Sequence, residues 1–133
     1  MEIPPLSDSN FDPYRSGTVS YRIYLQRDID EAKALLDEYN SGEFDDTALS
    51  ERLDALVEQS RLLNALMAES PEYHVQLLMQ SYQSLAVQNP FKSMVKDLNF
   101  AKASIGNKDT FNGLMNYFLD AANQLLGDIN KLS

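Results

Sequence analysis

His74 is the only histidine in a chain of 133 residues that has no cysteine, and this removes most of the usual routes to catalysis. A nucleophilic triad needs Ser or Cys beside a base that a third group orients. A carboxylate-bridged di-iron bundle needs two Glu-x-x-His pairs on facing helices. One histidine cannot complete either, and no Gly-rich phosphate loop or G-x-S-x-G elbow occurs along the chain. The expectation is a protein without enzymatic activity, without a cofactor and without a structural metal.

Three patterns come closer to a binding function. Asp37, Ser41, Gly42 and Asp45 fall at loop positions one, five, six and nine of an EF-hand, but Tyr39 stands where a ligand belongs and Ala48 replaces the bidentate Glu. Calcium binding is not expected from such a loop. Asn89-Pro90-Phe91 has the form of a short motif found in endocytic adaptor ligands. The same residues read more simply as a helix start, with Asn as the cap and Pro at the first helical position. Third, Glu31, Asp37, Glu38, Glu43, Asp45, Asp46, Glu51, Asp54 and Glu58 gather in one stretch. Asp45, Asp46, Glu51, Asp54 and Glu58 are its candidate docking surface for a basic partner, against the plain alternative of a solvated face.

Formal net charge is −9, which disfavours contact with a phosphate backbone, since that requires Lys and Arg to displace counterions. Direct nucleic-acid binding is not expected. The charge is unevenly divided: residues 1–72 hold 16 acids and 6 bases, and residues 73–133 hold 4 acids and 5 bases. The opening Met1-Glu2-Ile3-Pro4-Pro5 lacks the basic start and apolar run of a secretory signal. The longest stretch free of charge, Tyr73 to Phe91, carries too many Gln and Asn to span a membrane. A cytoplasmic location is the corresponding expectation.

These surfaces have to be carried by helices. Pro4, Pro5, Pro13 and Gly17 predict an extended or disordered tail over residues 1–17, with Phe11 and Tyr14 as its anchors, followed by a helical bundle over 18–133. Tyr21, Leu25, Ile29, Ala32, Leu36 and Tyr39 share one helical face from about Thr18 to Tyr39, although Val19, Tyr21, Ile23 and Leu25 also alternate like a strand. Gly42 ends that helix, and Asp45 or Asp46 caps the next. Leu49, Leu53, Leu56, Ser60, Leu63 and Met67 then keep a heptad-like stripe to about Glu69. Ser70-Pro71 and Asn89-Pro90 both read as cap followed by proline. They open a third helix with Val75, Leu78, Tyr82 and Leu85 on one face, and a fourth with Phe91, Met94, Val95, Leu98, Ala101 and Ile105. The last helix, about Asp109 to Leu132, repeats Phe111, Met115, Phe118, Ala122, Leu125, Ile129 and Leu132 in unbroken heptad spacing. The fold class predicted is all-α, an antiparallel helical bundle of about five helices with an extended N-terminal tail.

The second half has the composition of an interface. Only 9 of its 61 residues are charged, and interfaces are poor in charge and rich in aromatic side chains and Met. Tyr73, Tyr82, Phe91, Phe100, Asn116, Tyr117 and Phe118 are its candidate partner-binding residues. The function expected is a non-catalytic protein–protein interaction module: an adaptor, a chaperone-like factor or a subunit of a larger assembly, binding itself or another protein. The alternative is an acidic inhibitor or immunity-type protein that covers a basic surface of its target. Secretion chaperones, immunity-type inhibitors and assembly subunits share this composition, and no motif selects among them.

Overall fold

Three of the helices begin on a side-chain oxygen that takes one of the backbone N–H groups left over at a helix start. Asp45 Oδ2 accepts from the N–H of Ala48 at 2.9 Å, Asn89 Oδ1 from that of Phe91 at 2.9 Å, and Asn107 Oδ1 from that of Thr110 at 3.2 Å. Pro90 follows its cap directly, where its missing N–H costs nothing. The computed structural model describes residues 13–84 and 89–132, with side chains from Tyr21 onward. These residues form α1 (Pro13–Ser41), α2 (Asp46–Ala68), α3 (Tyr73–Ser81), α4 (Pro90–Ala103) and α5 (Lys108–Asn130), with no strand among them.

Contacts across the helices fix their directions. Arg52 of α2 meets Glu38 of α1, Gln59 meets Arg27, and Tyr21 donates to the Leu66 carbonyl, so numbering rises on α2 as it falls on α1. Asn112 and Asn40 pair at one end of α5 and Arg22 reaches Asn130 at the other, which makes α1 and α5 antiparallel as well. Lys102 of α4 binds Asp54 of α2 at 2.8 Å, and α4 packs on both α2 and α5. Four long helices thus form a ring in the order α1, α2, α4, α5, each antiparallel to its neighbours. Short α3 rests on α2 in the connection between α2 and α4. Among the described residues no helix is long and apolar enough to cross a membrane.

The core follows the heptad faces. Leu49, Leu53, Leu56, Ser60, Leu63 and Met67 of α2 are buried, and so are Phe111, Met115, Phe118, Ala122, Leu125 and Ile129 of α5. Each large apolar side chain enclosed in this way is worth about 1.5–3 kcal/mol, whereas the helices would be marginal alone. Tyr39 closes one end of the bundle. Its ring stacks on Phe111 and Phe44, with centroids 3.9 and 4.9 Å apart, and its hydroxyl donates to the Ile105 carbonyl at 2.7 Å. That same Tyr39 is the residue that spoils the calcium-loop pattern, and Asp45 of that pattern is occupied as a cap. Gly42 leaves α1 with φ +82°, a conformation that L side chains rarely adopt.

Three local expectations are corrected. Helix α1 starts at Pro13, five residues before Thr18, so the predicted tail of residues 1–17 gives up its last turn. A proline suits a first helical turn, where no N–H partner is needed. Phe11 lies outside the described residues, and Tyr14 falls in that first turn with its side chain outside them too. In α1 the buried face includes Tyr24, Asp28 and Leu35, while Leu36 is only partly buried. Ser70-Pro71 does not open α3: Ser70 Oγ accepts from the N–H of Glu72 in a turn, and the helix begins at Tyr73. Leu85, assigned to the inner face of α3, lies outside the described residues.

Candidate functional site

The seven partner-binding candidates separate by burial. Tyr82, Phe91 and Phe118 are core residues, only 5%, 2% and 0% exposed, and present no side-chain surface to a partner. Phe91 and Phe118 stand on the inner faces of α4 and α5. Tyr82, at the C-terminal cap of α3, turns inward and donates to Asp128 Oδ2 at 2.8 Å. Burial and the Asp128 carboxylate both hold the Tyr82 hydroxyl above its usual pKa. Tyr73, Phe100 and Tyr117 are instead 67%, 52% and 65% exposed, and Asn116 is exposed beside Tyr117.

Phe100 and Tyr117 flank the same outer seam. Successive residues of an α-helix turn by about 100°. On α4, Lys102 and Val95 face α2, the first through Asp54 and the second in a cavity shared with Arg61 and Asn64. Phe100, two residues before Lys102, is therefore carried to the opposite flank of α4, toward α5. On α5, Asn112 and Asn130 face α1. Tyr117, five residues beyond Asn112, is carried toward α4. Tyr73 belongs to a second patch on α3 with Leu77 one turn later, also exposed. His74 stands edge-on to Tyr73, with ring centroids 5.7 Å apart.

The acidic hairpin retains less free charge than its sequence suggests. Arg52 binds both Glu31 and Glu38, Lys102 binds Asp54, and Asp45 caps α2. Asp46, Glu51 and Glu58 stay exposed, and among the described residues they have no ion-pair partner. Asp28, one of the few buried polar residues, sits in the α1 core face at 2% exposure with Oδ2 unpartnered. Burial pushes its carboxyl up to about 7, against the opposing pull of Arg27, whose guanidinium lies 3.6 Å from Oδ1.

One feature escaped the sequence reading. Between α2 and α4 lies a cavity of about 330 Å³ lined by Arg61, Asn64, Phe91, Lys92, Val95 and Lys96. It has three cationic side chains, an apolar floor and no carboxylate. Lys92 and Lys96 are one turn apart on α4 and were visible as a pair. Arg61 joins them only through the register of α2 against α4. Lys96 also places Nζ 6.0 Å above the Phe100 ring, which links the cavity to the aromatic seam.

Compared with known protein families, with curated proteins and with solved structures, the chain matches none.

Proposed function

We propose that this chain is a non-catalytic protein-interaction module, serving as an adaptor, a chaperone-like factor or a subunit of a larger assembly, and that it binds protein through the outer seam of α4 and α5. The observation that carries this reading is the pair Phe100 and Tyr117, each more than half exposed. Aromatic rings left in water are what interface cores are made of, and truncating such rings removes a large part of the binding energy. The rival reading, an acidic inhibitor, draws on Asp46, Glu51 and Glu58.

Light scattering at micromolar concentration tests the seam, comparing the parent with a variant carrying Phe100→Glu and Tyr117→Lys. The parent is expected above monomer mass or to bind an apolar-surface dye, and the variant to lose both while keeping its urea midpoint. A strictly monomeric parent that binds no dye overturns the reading.

A further inference from the structure

We infer that the basic cavity between α2 and α4 takes an acidic peptide segment of a protein partner, with its carboxylates on Arg61, Lys92 and Lys96 and one apolar side chain over Val95. This rests on the protein-interaction reading and names the chemistry of the partner. The protein carries net charge −9, yet three of its cations line one small cavity together with no acid. Among the described residues neither Arg61 nor Lys92 has an ion-pair partner, whereas Arg52 and Lys102 are held by the acids of the first hairpin. Like charges brought together in this way raise the local potential, and a bound carboxylate relieves it. The cavity also flanks the first turn of α4, where the positive end of the helix dipole adds to the attraction.

The floor decides between kinds of anion. Val95 and the methylene stems of Lys92 and Lys96 give an inorganic ion nothing to bind, but they match an aromatic or aliphatic side chain set between acids. A volume of about 330 Å³ is at the small end of ligand cavities, ~300–1,000 Å³, and suits one anchor residue. Asn64 adds a backbone-like contact: its carboxamide Oδ1 is enclosed with no hydrogen-bond partner, so turning to accept an N–H from a bound peptide satisfies an atom that is otherwise wasted. A long polyanion is opposed by the 16 acids of residues 1–72, whereas a short acidic segment needs only the local match. From the cavity, Lys96 leads to Phe100, so a segment lying along α4 reaches the aromatic seam.

The test is amide chemical-shift mapping on the labelled full chain. The probe is the blocked peptide Asp-Glu-Phe-Glu-Asp, with Asn-Gln-Phe-Gln-Asn, inorganic phosphate and oligothymidine as comparisons. Saturable shifts centred on Arg61, Asn64, Lys92 and Lys96 are expected with the acidic peptide alone, weakening as salt rises. Lys92→Glu with Lys96→Glu should lower affinity by at least about tenfold, and Lys92→Gln with Lys96→Gln by less, with the fold of each variant checked by circular dichroism. No saturable response to the acidic peptide overturns the inference. So does an equal response to phosphate, which marks a simple anion site, or to oligothymidine, which marks a nucleic-acid site. Tyr117→Lys, outside the cavity, should leave peptide binding intact. No peptide binding by the parent while its seam-dependent association persists defeats this inference alone, and the converse defeats only the seam.

Discussion

The α1–α2 hairpin and the α4–α5 hairpin are built on the same antiparallel plan, yet they treat their surfaces in opposite ways. In the first, charge is abundant and much of it is answered within the hairpin: Arg52 reaches Glu31 and Glu38, Arg27 reaches Gln59, and Asp45 closes the start of α2. In the second, five bases and four acids nearly balance, and what faces water includes Phe100 and Tyr117. A dense run of acids therefore says less about function than the few groups left without partners. The two halves are joined where Lys102 of α4 takes Asp54 of α2, which withdraws one more acid from the first surface.

The largest effect that would sharpen this contrast lies within two adjacent residues of α5. Phe118 is fully enclosed and Tyr117 is 65% exposed. Phe118→Ala should cost about 3–5 kcal/mol through lost burial and a residual cavity, a large share of the 5–15 kcal/mol typical of a domain. Tyr117→Ala should stay within about 0.5 kcal/mol, as surface changes do, while weakening association. Urea denaturation gives both numbers. A comparable loss of stability in Tyr117→Ala would mean that the seam is structural.

The same pair shows what the sequence disclosed. Heptad spacing placed Phe118 and Phe91 on inner faces, and both are buried there; the composition of the second half also nominated them as interface residues, and periodicity was the better guide because it encodes direction. Stripes such as Leu49 to Met67 and Phe111 to Ile129 were legible because α-helical packing needs little beyond apolar residues at the right spacing. Asp28 stands in the same spacing, with Tyr21, Leu25, Ala32, Leu35 and Tyr39, but its charge argues for the surface, and Ile29 and Leu36 beside that stripe offer an apolar face without it. The start of α3 departs from the cap-then-proline pattern because Ser70-Pro71 closes a turn as readily as it caps a helix. The cavity could not be read because Arg61 meets Lys92 and Lys96 only after α2 and α4 have docked.

Asp28 gives the next largest effect, and it tests whether the acid-rich hairpin holds all its acids outside. Its carboxyl titrates near 7 in the folded protein, raised by burial, against about 3.9 for an unperturbed Asp. Between those values the folded state binds the extra proton, so stability falls as pH rises through the window. The contribution is whole below about pH 4 and lost above about pH 7. At about 1.4 kcal/mol for each pKa unit, the fall amounts to a few kcal/mol. Asp28→Asn should remove it: denaturation at pH 5 and pH 8 should show the variant gaining on the parent at the higher pH. A difference between the two proteins that is the same at both pH values would place Asp28 in solvent.

The smallest effect separates the two readings of the acidic hairpin. Asp45→Ala should cost about 1 kcal/mol, because it frees the Ala48 N–H that the carboxylate holds at 2.9 Å. Asp46→Lys, Glu51→Lys and Glu58→Lys remove no contact of that kind, and each should shift the urea midpoint by less than about 0.5 kcal/mol. Stability is therefore nearly silent at these three positions, and any larger consequence of reversing them has to come from binding. If the hairpin merely solvates the bundle, the association rate measured by stopped flow should differ little between the parent and the triple reversal at low and at physiological salt. If the hairpin is a docking surface for a basic target, association should be steered by charge, fall steeply with salt, and drop by roughly an order of magnitude in the reversed protein. Because Asp54 is already paired with Lys102, Asp54→Asn raises net charge by one while leaving Asp46, Glu51 and Glu58 in place, which makes it the control for a nonspecific effect of net charge. A rate that follows net charge equally at all four positions would remove the distinction between the hairpins altogether.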